Sequence, residues 1–174
     1  DELRLKITLQ GPFTQSATNA LGRAQDNEVI AAFFADSKTG VDGGTTTSFG
    51  TGVTATGRNI AVATGAAAAT GMNVTKLRKA VQRLKSFHVD VSMEVPTCAI
   101  TSIQEDNLLG DVQVTSGDFN WGDRPVLRDG KLTHFLGVNF LQNEGLTTGV
   151  DDSTATSRMC PMWVKSGMHF GQWN

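Results

Sequence analysis

The stretch from Asn73 to Gly110, NVTKLRKAVQRLKSFHVDVSMEVPTCAITSIQEDNLLG, constrains the fold more than any other part of the chain. Val74, Leu77, Val81 and Leu84 recur at three- and four-residue intervals, which a 3.6-residue helix gathers onto one face. Asn73 stands where an N-cap belongs, its side-chain oxygen able to accept from the free amides of the first turn. A turn around His88–Asp90 separates this helix from a strand predicted over Ser92–Ile100. Ser102 is placed to cap a second short helix that runs to Leu108–Leu109 and stops at Gly110. Helix, strand and helix in this order need a sheet to cover their apolar sides, so the rest of the chain must supply strands.

The remaining segments do so. Asp1–Gln10 alternates Leu3, Leu5, Ile7 and Leu9 with polar residues, the period-two pattern of a half-buried strand or of an extended arm on a partner. Gly11–Pro12 ends it, and Phe13–Asp36 predicts a helix of roughly 35 Å. Ala17, Ala20, Leu21, Ala24, Glu28, Ala31 and Ala35 fall on one stripe of mostly small residues. Val29, Ala32 and Phe33 add a second, which predicts a C-terminal half wrapped on more than one side. Gly22 predicts a bend or close packing at the middle.

Ser37–Met72 is rich in Gly and Thr and nearly uncharged. It is either mobile or built of short strands ordered by neighbours, with Asn59–Ala63 its most strand-like piece. After Gly110 come Val112–Ser116 and a loop predicted to bury Phe119 and Trp121. Pro125–Leu127 and Lys131–Gln142 are predicted to pair across an Asp129–Gly130 turn, with a bulge at Gly137 and with Leu132, His134, Leu136 and Val138 on one face. Asn143–Ser157 predicts a polar loop, and Arg158–Lys165 with Gly167–Trp173 two closing strands. The fold class expected is α+β.

The chain has 174 residues, enough to bury a real core, with 39% hydrophobic and 18% charged residues and a net charge of −2. That balance argues against a dedicated nucleic-acid binder. No apolar run reaches the ~18 residues of a membrane span. Cys98 and Cys160 lack metal-ligand spacing; reduced thiols are expected, with a bridge between them left open.

No catalytic constellation stands out. G-x-S-x-G, H-E-x-x-H, Walker A and C-x-x-C are all missing, and the glycines at 50, 52 and 57 do not form a nucleotide loop. His88, His134 and His169 are dispersed and read as surface or satisfied core histidines. Glu105–Asp106, Asp118 and Asp151–Asp152 lie at helix starts and in loops, where carboxylates cap and solvate. No catalytic, cofactor or metal residue is therefore assigned, and no cofactor is expected. One feature carries a partner expectation. Lys76, Arg78, Lys79, Arg83 and Lys85 place five positive charges on one helix with no acid between Asn73 and His88. Such a helix can meet phosphates or an acidic patch on a neighbouring subunit, against the plainer alternative of a solvated face.

Taken in order, four segments resemble the major capsid proteins of tailed bacteriophages with the HK97-type fold, most closely a family of short-tailed and related phages. PFTQSATNALGRAQDNEVIAAFFADSKTG is similar to the family's long spine helix and its Gly-rich exit. MNVTKLRKAVQRLKSFHVDV resembles the helix that opens the axial domain, and EVPTCAITSIQEDNLLGDVQVTSGDFN the strand and short helix after it. LRDGKLTHFLGVNFLQNEGL resembles the following hairpin, with Arg158–Trp173 as a closing strand pair.

The resemblance implies an end of an extended arm or E-loop at 1–12 and a peripheral-domain segment at 13–71. An axial domain follows at 72–157, with closing strands at 158–174 returning to the peripheral domain. It further implies a chain that is the central part of a longer subunit and assembles with itself into pentamers and hexamers of an icosahedral shell. That shell would be formed in the bacterial host cytoplasm around double-stranded DNA, with scaffolding, portal or decoration proteins as further partners and no membrane. An encapsulin-like compartment shell and a small α+β hydrolase are the competing expectations.

Overall fold

The computed structural model describes residues 11–47, 59–111, 114, 131–148, 157–169 and 171. Elements in chain order are α1 (Pro12–Phe34), β1 (Ser37–Thr39), β2 (Thr45–Thr47), α2 (Val74–Ser86), β3 (Thr97–Ile100), α3 (Ser102–Leu109), β4 (His134–Phe135), β5 (Val138–Gln142) and β6 (Met162–Trp163). A 3-10 turn at Lys165–Gly167 follows. The chain is mixed α+β. The predicted arm 1–10, Phe119, Trp121, the Asp129–Gly130 turn and the acids Asp118 and Asp151–Asp152 lie outside the described residues.

A four-stranded sheet of order β4-β5-β3-β6 forms the centre. β3 runs parallel to β5, Thr97 opposite Asn139 and Ile100 opposite Gln142, while β6 is antiparallel to β3 with Cys98 opposite Met162. Alternation along β3 sends its residues to two sides. Cys98 and Ile100 join Val74 and Leu77 of α2, Leu108 of α3, Val114, Leu132 and Val138 in the main core. Ala99 points the other way, to a smaller cluster with Ile30 of α1 and Leu146. The sheet is thus covered by α2 on one side and by the end of α1 on the other.

Local chemistry explains the elements. Asn73 caps α2 as predicted, its Oδ1 accepting from the Lys76 amide at 2.8 Å. Helix α2 ends on His88, which takes the left-handed conformation (φ 62°), and the Val89 amide reaches back to the Leu84 carbonyl. The predicted strand 92–100 is shortened to Thr97–Ile100. Asp90 captures both the amide and the hydroxyl of Ser92, folding residues 90–94 into a turn. Thr101 rather than Ser102 is the N-cap of α3: the Gln104 carbonyl accepts from the Thr101 amide at 3.0 Å and also from its hydroxyl. Ser102 is the first helical residue, and its amide donates to Glu144 at 2.7 Å.

Several expectations are corrected. Asn59–Ala63 is not a strand: Thr64 and Ala66 donate back to Ala61 and Ala63, and these turns leave no edge to pair. Part of the Gly/Thr tract does form strands, the β1–β2 hairpin. Gly22 sits in open space within an uninterrupted helix, so it marks neither a bend nor a close contact. The C-terminal half of α1 is packed on one side only, through Ile30 and the half-buried Val29, Phe33 and Phe34, while Ala31, Ala32 and Ala35 are exposed. Leu146, within the predicted polar loop, is fully buried. Met168 and His169 follow the 3-10 turn without entering a strand.

Lys131–Gln142 is not one bulged strand. The chain reverses at Leu136–Gly137, both left-handed (φ 52° and 72°), so that Phe135 faces Val138 as in a two-residue hairpin turn. Leu132 and Val138 are buried, but His134 and Leu136 are exposed. A leucine at positive φ costs on the order of 1–2 kcal/mol. Leu136→Asn installs the Asn-Gly pair this turn favours and is expected to raise the melting temperature by about 2–4 °C. A thermal melt in which the variant unfolds at or below the wild-type temperature would contradict this turn geometry.

Candidate assembly surfaces

The five basic residues of α2 do not share one face. Val74, Leu77 and Val81 face the core, which fixes the rotation of the helix. Lys76, Lys79 and Arg83, spaced three and four apart, line one flank; Arg78 and Lys85, seven apart, line the other. Lys76 is already engaged, its Nζ donating to the carbonyls of Thr70 at 2.5 Å and Gly71 at 2.8 Å. Burial lowers its pKa from the ordinary lysine value, with Cys160 acting weakly the other way. Arg78, Lys79 and Lys85 are exposed and Arg83 is half-buried. Arg83 and Lys85 lie in the last turn, where cations are favourable against the helix dipole. Sequence spacing alone defines both flanks. Which of them looks outward depends on how α2 sits on the sheet.

Helix α1 offers the larger surface. Every residue from Pro12 to Glu28 is exposed, and only Ile30 is buried. The N-terminal two-thirds of the helix therefore lacks packing within the described residues, although isolated helices of this length are marginal in water. Phe13 is 87% exposed and Leu21 62%. Further exposed apolar side chains follow α2 (Phe87, Met93 and Val95) and sit on the hairpin (Leu136 and Leu141). Exposed apolar area on this scale is a mark of a surface that meets another macromolecule.

Chemistry of an enzymatic kind is not assembled by the described residues. A cavity of about 100 Å³ lies between α1 and the sheet, lined by Ile30, Phe33, Leu141, Leu146, Trp163 and other mostly apolar residues. Phe33 and Trp163 close one side with ring centroids 4.8 Å apart. Among the described residues no group of His, Cys, Asp and Glu could hold a metal ion. His88, His134 and His169 are exposed and remote from one another in the fold.

The carboxylates act as local ties. Glu105 accepts from the Leu132 amide at 3.0 Å. Glu94 accepts from the hydroxyl and amide of Ser166, and Glu144 from the amide of Ser102; these bonds hold both below the usual glutamate pKa. Neither long-range tie was legible from sequence, because each partner is a serine in a separate segment. Both thiols are free; burial raises them well above the ordinary thiol value, Cys160 to about 12. Among the described residues no helix is long and apolar enough to cross a membrane.

The sequence matches a family model described as phage capsid protein over residues 1–174. No curated protein and no solved structure matches it.

Proposed function

Since the chain belongs to the phage capsid protein family, and so to a family of structural virion proteins, we propose that it is the major capsid subunit of a tailed-phage head with the HK97-type fold. It assembles with itself into pentamers and hexamers of an icosahedral shell enclosing double-stranded DNA. The observation that carries this beyond the family match is α1, an exposed helical strut docked by its last turns alone. A side this bare is completed by neighbouring copies in a shell. In this proposal α1 and the segment to residue 71 form the peripheral domain, and 72–157 the axial domain. Electron microscopy of particles made by the gene product, combined with nuclease protection, tests it. Closed shells that shield DNA are expected; a monodisperse monomer or dimer under all conditions would overturn it.

The two flanks of α2 belong to the same proposal, as a surface toward a neighbouring subunit or the packaged DNA. Because Arg78 and Arg83 lie on different flanks, they are to be reversed singly. Arg78→Glu or Arg83→Glu is expected to impair closed-shell formation if its flank is an interface, and to leave shells with less protected DNA if its flank faces phosphates. Particles unchanged in number and content for both variants would return these residues to the role of a solvated face.

A further inference from the structure

The exposed side of α1 has an internal order that bears on what covers it. Residues 13, 17, 20, 24, 28, 31 and 35 follow one line along the helix, and they lie away from Ile30, through which α1 is attached. Arg23, seven residues before Ile30, falls on the attached side, so from Phe13 to Ala24 the outward line carries no charge. Toward the body the same turns present Ser16, Asn19 and Arg23. The helix is thus apolar toward the sheet at its C-terminal end and apolar outward at its N-terminal end.

The spacing of the outward line, four-three-four-four-three-four, reads the same from both directions and is centred on Ala24. Reversed on a second copy, it sets Phe13 against Ala35 and Ala17 against Ala31, with Ala24 against itself. The charges agree with this register. Helix α1 begins on Gly11 with no side-chain cap and no acid in its first turn, and ends with no base in its last. An antiparallel copy brings its exposed Asp36 beside the uncapped N-terminus, where a carboxylate is favourable, and it aligns the two helix dipoles head to tail.

We propose that the outward face of α1 is a two-fold contact with α1 of a second copy, antiparallel and centred on Ala24. This deepens the assembly proposal and rests on it. A self-complementary patch of this kind is what an isologous contact requires, and small side chains let the two helices approach closely.

The test is Ala24→Cys under mild oxidation by oxidised glutathione, read as a covalent dimer on a non-reducing gel, with Arg23→Cys as the control on the attached side. Ala24→Cys is expected to cross-link and Arg23→Cys not to. Adding Asp36→Lys to Ala24→Cys is expected to lower the yield about threefold. Equal cross-linking of both cysteine variants, or no dimer from Ala24→Cys in closed shells, would overturn the contact. Cross-linking to a Leu5→Cys chain in place of a second Ala24→Cys chain would likewise overturn it, making the preceding segment the occupant. Because shell formation is scored on the wild type without any introduced cysteine, failure of the capsid proposal is seen separately.

Discussion

Leu77→Ala is expected to lower the free energy of unfolding by about 3 kcal/mol, within the ~2–5 kcal/mol range of such truncations in cores. Leu77 is 1% exposed and joins α2 to Cys98 and Ile100 of β3, Leu108 of α3 and Val138 of β5 in one cluster. Shortening it removes the transfer energy of the deleted carbons. It also opens a void that the surrounding residues cannot close together, because they belong to three different elements. Urea unfolding followed by circular dichroism measures the change. Leu84→Ala, further along the same stripe but only half-buried, is expected to cost clearly less. Equal losses for the two variants would mean that α2 is not anchored at its first turns, and the packing described for the main core would be wrong.

The second large effect concerns pH. Both thiols are raised, Cys98 by burial and, secondarily, by its neighbour Cys160, and Cys160 by burial against the opposing pull of Lys76. A raised thiol favours the neutral form in the folded state. Its contribution is therefore complete below the unfolded value of about 8.5 and is lost as pH climbs from there toward the folded value. At about 1.4 kcal/mol per pH unit, Cys98 alone is expected to cost about 2 kcal/mol of stability between pH 8.5 and 10. Cys160 adds a smaller loss. Lys76, lowered by burial, works in the opposite sense in the same range. The chain has no tyrosine to blur the effect. Urea midpoints at pH 8 and 10 should separate in the wild type and converge in a Cys98→Ala/Cys160→Ala variant. A double variant as alkali-sensitive as the wild type would remove the thiols as the cause.

What the sequence made legible follows from how local each signal is. Helix α2 was readable to within a residue, because its stripe, its Asn73 cap and its exit at His88 all lie within the helix or at its ends. Helix α1 was readable as a helix, but its attached face was not. Its apolar residues point to opposite sides at its two ends, so no single stripe dominates. The hairpin was placed one turn too early because Asp129–Gly130 is the stronger turn signal, whereas Leu136 gives no hint of a positive φ. The parallel pairing of β3 with β5, some forty residues apart, left no trace in either strand. The basic residues were found as a group, and their division into two flanks required the orientation that Leu77 imposes on the helix.

The outermost members of the central sheet, β4 and β6, are two residues each. So short a border offers a stray chain almost no backbone to copy, which guards against runaway strand stacking when many copies crowd together. Joints made by side chains on helices are weak one by one and can be undone. A wrongly seated copy can leave before its neighbours trap it, and lattice errors are corrected during growth rather than frozen in.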